Sequence, residues 1–159
     1  MWPPAALVAQ LAALPRPRVP AVRWTVEEQW HVTLRFLGSV DDPAEAADAL
    51  TSVPAVGPVT ATAGPAVASL SPSLLCVPVQ GLDELAAAVV SATAAVGQRP
   101  EDRPFRGHIT LARSKGKASV SRLAGPPIEA TWPVGEVTLV ASETHPQGAR
   151  YTVIGRYPL

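Results

Sequence analysis

His31-Val32-Thr33-Leu34 returns in the second half of the chain as His108-Ile109-Thr110-Leu111. A strand turns successive side chains to opposite faces, so in each copy the imidazole and the hydroxyl two residues on share one face, while the aliphatic residues beside them point back into a core. One copy alone reads as a structural histidine next to a strand-forming threonine. Two copies read differently: the chain has three histidines, and two fall at the same place in the same four-letter frame, which coincidence seldom produces. A weak internal duplication accounts for the repeat.

The chemistry of the pair explains why both residue types are needed. Displacement at phosphorus by water requires a base for the attacking water and an acid for the departing oxygen, and imidazole serves either role near neutrality. Two histidines supply one of each. A threonine hydroxyl can donate to a non-bridging phosphoryl oxygen and share its growing charge while itself remaining neutral. Two such strands facing each other make a site for phosphate chemistry that needs no metal.

Composition narrows the remaining choices. The chain has 159 residues, the size of one domain. Apolar residues make up 47% and charged ones 16%, with a formal net charge of +0, so contact with a polyanion must come from local clusters of arginine and lysine. The single cysteine, Cys76, excludes an internal disulfide and a cysteine-based zinc cluster, which suits the cytoplasm. Pro3 and Pro4 with no preceding basic residue argue against a signal peptide, and no apolar run is long enough to span a membrane.

Eighteen prolines and eleven glycines cut the chain into short elements and favour a mixed α and β protein over a helix bundle. Helices are expected over Ala5 to Leu14, Ala44 to Leu50 behind Asp42-Pro43, and Asp83 to Val96 before Gly97. Strands or extended pieces are expected over Val22 to Thr25, Trp30 to Leu37, Val59 to Leu70 with a break at Gly64-Pro65, and Leu74 to Val79. Further strands follow at Phe105 to Arg113, Ile128 to Trp132, Glu136 to Ser142 and Arg150 to Tyr157, with one helical turn at Ser119 to Leu123. Each motif copy therefore sits on an expected strand.

With Arg23-Trp24 ahead of the segment from Gln29 to Gly38, and Arg103-Pro104-Phe105-Arg106-Gly107 ahead of the second copy, the motifs resemble those of the two-histidine (2H) phosphoesterases. Within them the chain is most similar to the RNA 2′,3′-cyclic phosphodiesterases, also called 2′-5′ RNA ligases. The likeness extends from Trp2-Pro3-Pro4 to Gly148-Ala149-Arg150-Tyr151-Thr152-Val153. It implies an α+β fold over residues 1–159, a single bilobal domain of two antiparallel-sheet lobes related by a pseudo-two-fold, with the active-site cleft between them. It also implies that His31 is the proton donor to the leaving ribose oxygen, that His108 is the proton acceptor from water, and that Thr33 and Thr110 hold the phosphate. The implied reaction turns RNA 2′,3′-cyclic phosphate ends into 2′-phosphate ends, with reversible 2′-5′ ligation as a companion. The implied enzyme acts as a monomer in the cytoplasm on tRNA-like ends, with no cofactor, metal or membrane.

By the same resemblance Arg113 approaches the phosphate and Phe36 stacks on the terminal base. Strict alternation sets both on the faces opposite their histidines, so these roles require each strand to end or bulge there; a solvated arginine and a core phenylalanine are the alternatives. Arg35 and Arg106 share the faces of His31 and His108 by the period-two count. With Lys115 and Lys117 they could guide an RNA strand, or they could be solvated surface. His145, before Pro146, reads as surface, and Trp24 and Trp30 read as packing residues. Relatives carry a short apolar strand ahead of the Trp-Pro-Pro segment, whereas here Met1 directly precedes Trp2, so either the true start lies upstream or one sheet lacks a strand, which would leave unpaired backbone and apolar surface.

Related enzymes acting on cyclic nucleotides, ADP-ribose cyclic phosphate or 2′-5′ oligonucleotides fit the same motifs. A non-catalytic RNA-binding module would not require a matched acid and base. A histidine metal site lacks nearby carboxylate or cysteine ligands, and no phosphate-binding loop for ATP-driven ligation is present.

Overall fold

Residues 1–54, 57–145 and 148–159 are described by the structure, a computed structural model. Helix α1 (Ala5–Ala13) follows Pro3-Pro4 and buries Leu7 and Leu11. Helix α2 (Pro43–Thr51) is capped by the Asp42 carboxylate, which accepts from the Ala44 amide, and has proline in its first turn. Helix α3 (Asp83–Ala92) buries Leu85, Ala86 and Val89. It ends four residues before the expected Val96, at a turn where the Thr93 hydroxyl donates to the Val89 carbonyl and Val96 N–H to Thr93.

The strands are β1 (Val22–Trp24), β2 (Val59–Ala63), β3 (Ala68–Ser71), β4 (Leu74–Gln80), β5 (His108–Ser114), β6 (Ala130–Val134), β7 (Glu136–Glu143) and β8 (Arg150–Pro158). Six of them form an antiparallel sheet in the order β1-β5-β4-β2-β6, with β3 also on β4, and β7 pairs with β8 in a separate hairpin. The α+β expectation holds. The two apolar pieces expected around Gly64-Pro65 are β2 and β3, and the strand expected at Ile128 to Trp132 begins two residues later.

One expected strand is absent. The segment from Trp30 to Leu37, which carries the first motif, has a single bridge to the large sheet, Val32 to Ile109. On its other side the Met1 carbonyl accepts from the Val32 amide at 2.8 Å and the Met1 amino group donates to the Val32 carbonyl at 3.2 Å. Beyond Met1 a cavity of about 710 Å³ separates Thr33, Leu34 and Phe36 from Val137 to Ser142 on β7. Thr138, whose buried hydroxyl has no hydrogen-bond partner, is among the residues that line it.

Without a ladder, the segment is held by the end of α3. The Gln98 amide donates to the Leu37 carbonyl at 2.6 Å, and Gly97, at φ +61, lies so close to that carbonyl that a Cβ would overlap it. Arg35 completes the clamp. Its guanidinium donates to the Val90 carbonyl (3.1 Å), the Thr93 hydroxyl (2.7 Å), the Val96 carbonyl (3.1 Å) and the Gln98 carbonyl (2.9 Å).

Candidate active site

The Val32–Ile109 bridge joins the residue after each histidine, so the two motifs meet antiparallel at equivalent positions. Continuing that register one residue either way sets His31 opposite Thr110 and Thr33 opposite His108, on the face away from the core. Val32 and Ile109 are buried beneath them. All four side chains line one cleft of about 180 Å³, together with Arg23, Thr25, Gln29, Arg113, Ala149 and Tyr151.

Both imidazoles are oriented in the same way. His31 Nδ1 lies 2.9 Å from the Gln29 carbonyl and His108 Nδ1 lies 2.7 Å from the Arg106 carbonyl. A carbonyl only accepts, so each Nδ1 carries a proton and each Nε2 is left to exchange one. The environment of His31 is the drier. Trp2 lies at 5.5 Å and tilted, and Tyr151 meets it edge to face at 4.6 Å between ring centres. Burial lowers the His31 pKa below its ordinary value; the Gln29 carbonyl opposes this, and the positive amino terminus and His108 add to it. An anionic phosphate in the cleft acts in the opposite direction and favours the imidazolium.

Arg113 reaches the cleft by a bulge. The pairing of β4 with β5 passes from Leu75–Ala112 to Cys76–Thr110, leaving Leu111 extra, and Leu111 and Ala112 are both buried. The alternation therefore shifts by one, and Arg113 emerges on the face of His108 and Thr110. Thr25, only 7% exposed, holds the bulge: its hydroxyl lies 2.8 Å from the Thr110 carbonyl and 2.9 Å from that of Leu111, and its amide donates to Leu111 at 2.8 Å. The same hydroxyl accepts from Trp30 Nε1 at 3.0 Å.

The other expected residues divide. Phe36 is no core residue: it is 70% exposed at the rim of the larger cavity, which also reaches His31 and Thr33. Arg35, expected to guide RNA, is engaged at the end of α3 and is not free to do so, because its face is set by that clamp and not by strand alternation. Arg106 directs its side chain into neither cavity and contributes its carbonyl to His108. Lys115 and Lys117 also lie outside both linings. His145 is half-buried and lines neither cavity, and the Pro146 that follows lies outside the described residues. Trp30 is buried and Trp24 half-buried, as packing residues are. Sequence reasoning gave no site role to Arg23, Thr25, Gln29 and Tyr151, although Arg23, Gln29 and Tyr151 lie in the stretches that carry the family resemblance and Arg23 and Thr25 alternate ahead of the first motif.

Comparison with known proteins shows the family. The family model of the 2′-5′ RNA ligase superfamily matches residues 3–146. The chain belongs to that superfamily, the 2H phosphoesterases. A 60-residue stretch is 43% identical to the RNA 2′,3′-cyclic phosphodiesterase of Thermus thermophilus, covering 36% of this chain and 28% of that protein. The crystal structure of E. coli LigT complexed with 3′-AMP is 30% identical, with a TM-score of 0.76 over 98% of this chain and 92% of that one. E. coli LigT complexed with phosphate is 28% identical, with a TM-score of 0.69 over 98% and 91%. Among the described residues no helix is long and apolar enough to cross a membrane, and no group of three His, Cys, Asp or Glu could hold a metal ion.

Proposed function

We propose that this 2H phosphoesterase hydrolyses the 2′,3′-cyclic phosphate at RNA ends to a 2′-phosphate, acting as a cytoplasmic monomer, with 2′-5′ joining as the same step when an RNA 5′-hydroxyl takes the place of the attacking water. The observation that carries the reading is the antiparallel meeting of the two motifs, with both histidines and both threonines among the residues that line one cleft and each Nδ1 within hydrogen-bond distance of a backbone carbonyl. His108 Nε2 takes a proton from water as it attacks phosphorus; the bond to O3′ breaks, and His31 Nε2 delivers a proton to that oxygen. Thr33 and Thr110 donate to the non-bridging oxygens, where charge accumulates in the transition state. Phe36, exposed beside the larger cavity, offers a face on which the terminal base stacks.

The test is incubation of a short RNA carrying a 2′,3′-cyclic phosphate with the purified protein in chelator, followed by mass and regiochemical analysis of the end. A 2′-phosphate is expected, and replacing His31 or His108 by alanine should abolish turnover. Full activity in either variant, or a 3′-phosphate product, refutes the proposal.

A further inference from the structure

Basic and acidic side chains are segregated along this chain. Residues 1–26 and 103–128 hold nine of the 13 arginines and lysines and none of the 13 aspartates and glutamates. The fold brings the two stretches together: β1 lies in the first and β5 in the second, and they pair with Arg23 opposite Arg113. The rest of the chain holds all 13 acidic residues and four basic ones, of which Arg35 is tied to the end of α3 and Arg156 is paired with Glu136. A chain of formal net charge +0 therefore carries a positive face beside the histidine cleft.

That face continues beyond the cleft. The Lys115 amide donates to the Ala21 carbonyl at 2.9 Å, which extends the β1–β5 ladder and sets Lys115 on the face of Arg113, two residues further along. The chain then turns over residues 115–118, with Gly116 at φ +63 and the Ser114 hydroxyl donating to the Ala118 carbonyl at 2.6 Å. The Val120 amide, donating to the Pro72 carbonyl at 2.9 Å, ties down the return. Lys115 and Lys117 are exposed on this turn, line neither cavity and form no ion pair among the described residues. At a strand's rise per residue the Lys115 Cα lies about 13–16 Å from that of Thr110, with Arg113 between them.

We infer that the body of the RNA leaves the histidine cleft over this end of the sheet, with Lys115 and Lys117 holding backbone phosphates upstream of the terminal nucleotide. The inference rests on the proposed function and narrows its substrate class: an oligonucleotide end is a better substrate than a lone nucleoside cyclic phosphate. The argument for a polyanion is charge complementarity, since two unpaired ammonium groups extend a row of positive charge that starts at the reacting centre.

The experiment compares adenosine 2′,3′-cyclic phosphate with an oligoadenylate of about eight nucleotides ending in the same group, across a series of salt concentrations. In the unchanged protein the oligonucleotide should have the higher kcat/KM by about 10-fold at low salt, an advantage that shrinks as salt rises. In Lys115→Gln/Lys117→Gln the ratio of the two kcat/KM values should fall by about 3–10-fold, and the salt slope for the oligonucleotide should flatten by about 1.4, as two phosphate contacts on a single strand require. Arg99→Gln/Arg103→Gln removes the same charge from the loop that precedes β5 and should leave the ratio within about 2-fold. A separate arm measures binding of a fluorescent oligoadenylate ending in a 3′-phosphate, where the lysine variant should show the same loss and the same change of slope without turnover. Should no cyclic phosphate be opened while this binding behaves as stated, the proposed function fails and the RNA face stands. Equal kcat/KM for the two substrates, an advantage that survives in the lysine variant, or a loss that follows the Arg99 and Arg103 pair instead overturns the inference.

Discussion

Replacing Arg35 by methionine separates a clamp from an RNA contact. The guanidinium makes four hydrogen bonds at 2.7–3.1 Å to groups at and beyond the end of α3. Three acceptors are backbone carbonyls, and the fourth is a hydroxyl whose proton is already given to Val89. Methionine keeps most of the aliphatic stem and removes the donors. Bonds from a charged donor contribute about 1.5–3 kcal/mol each when well buried, but the Gln98 carbonyl is exposed and water can replace part of the set, so the net loss is about 3 kcal/mol. A cation leaving a helix C-terminus adds about 0.5 kcal/mol. For a domain of this size, that is a fall in Tm of about 7–14 °C. Thermal denaturation followed by circular dichroism measures it, and binding of a short RNA across a salt series shows whether a phosphate contact is lost as well. A Tm within about 1 °C of the unchanged protein, or a flatter salt dependence of RNA binding with stability intact, would refute the clamp and restore Arg35 as a guide for RNA.

Four further outcomes follow from the site. Because burial lowers the His31 pKa and the proton donor must be protonated, kcat/KM should fall as pH rises through a value below the ordinary 6.5, while kcat, measured with the phosphate bound, should fall at higher pH; coincident basic limbs in pH-rate profiles would contradict this. Tyr151→Ala admits water beside His31 and should move the basic limb of kcat/KM upward, read from the same profiles. Thr25→Val removes the hydroxyl that holds the bulge and leaves the buried Trp30 Nε1 unpaired, so stability should drop by about 2–4 kcal/mol by urea denaturation. Arg113 should also lose its place, so the activity of the folded fraction should fall. Gly107→Ala would drive a Cβ into the Val79 carbonyl oxygen, shifting the start of β5 with His108 on it, and should lower both kcat and Tm.

The repeated motif was legible because it is local: a period of two puts a histidine and a threonine on one face, and the aliphatic residues between them need a core. Helix α2, with Asp42 and Pro43 at its start, and the break of β2 from β3 were legible for the same reason, since a cap or a proline acts on its own few residues. The first motif nonetheless failed to form the strand its alternation predicts. Strand formation depends on partners, and only Val32 finds one on the large sheet.

What the sequence by itself determined is therefore the candidate set of histidines and threonines and the class of chemistry proposed for it, carried by residue type and spacing. Tertiary structure decided the rest: which arginine enters the cleft, because a one-residue bulge opposite Cys76 reverses the facing of all that follows it, and which is withdrawn to hold a helix end. Neither outcome can be read from the period of two, since a bulge and a clamp are both settled by hydrogen bonds to groups tens of residues away, from Thr25 to Thr110 and from Arg35 to Val90.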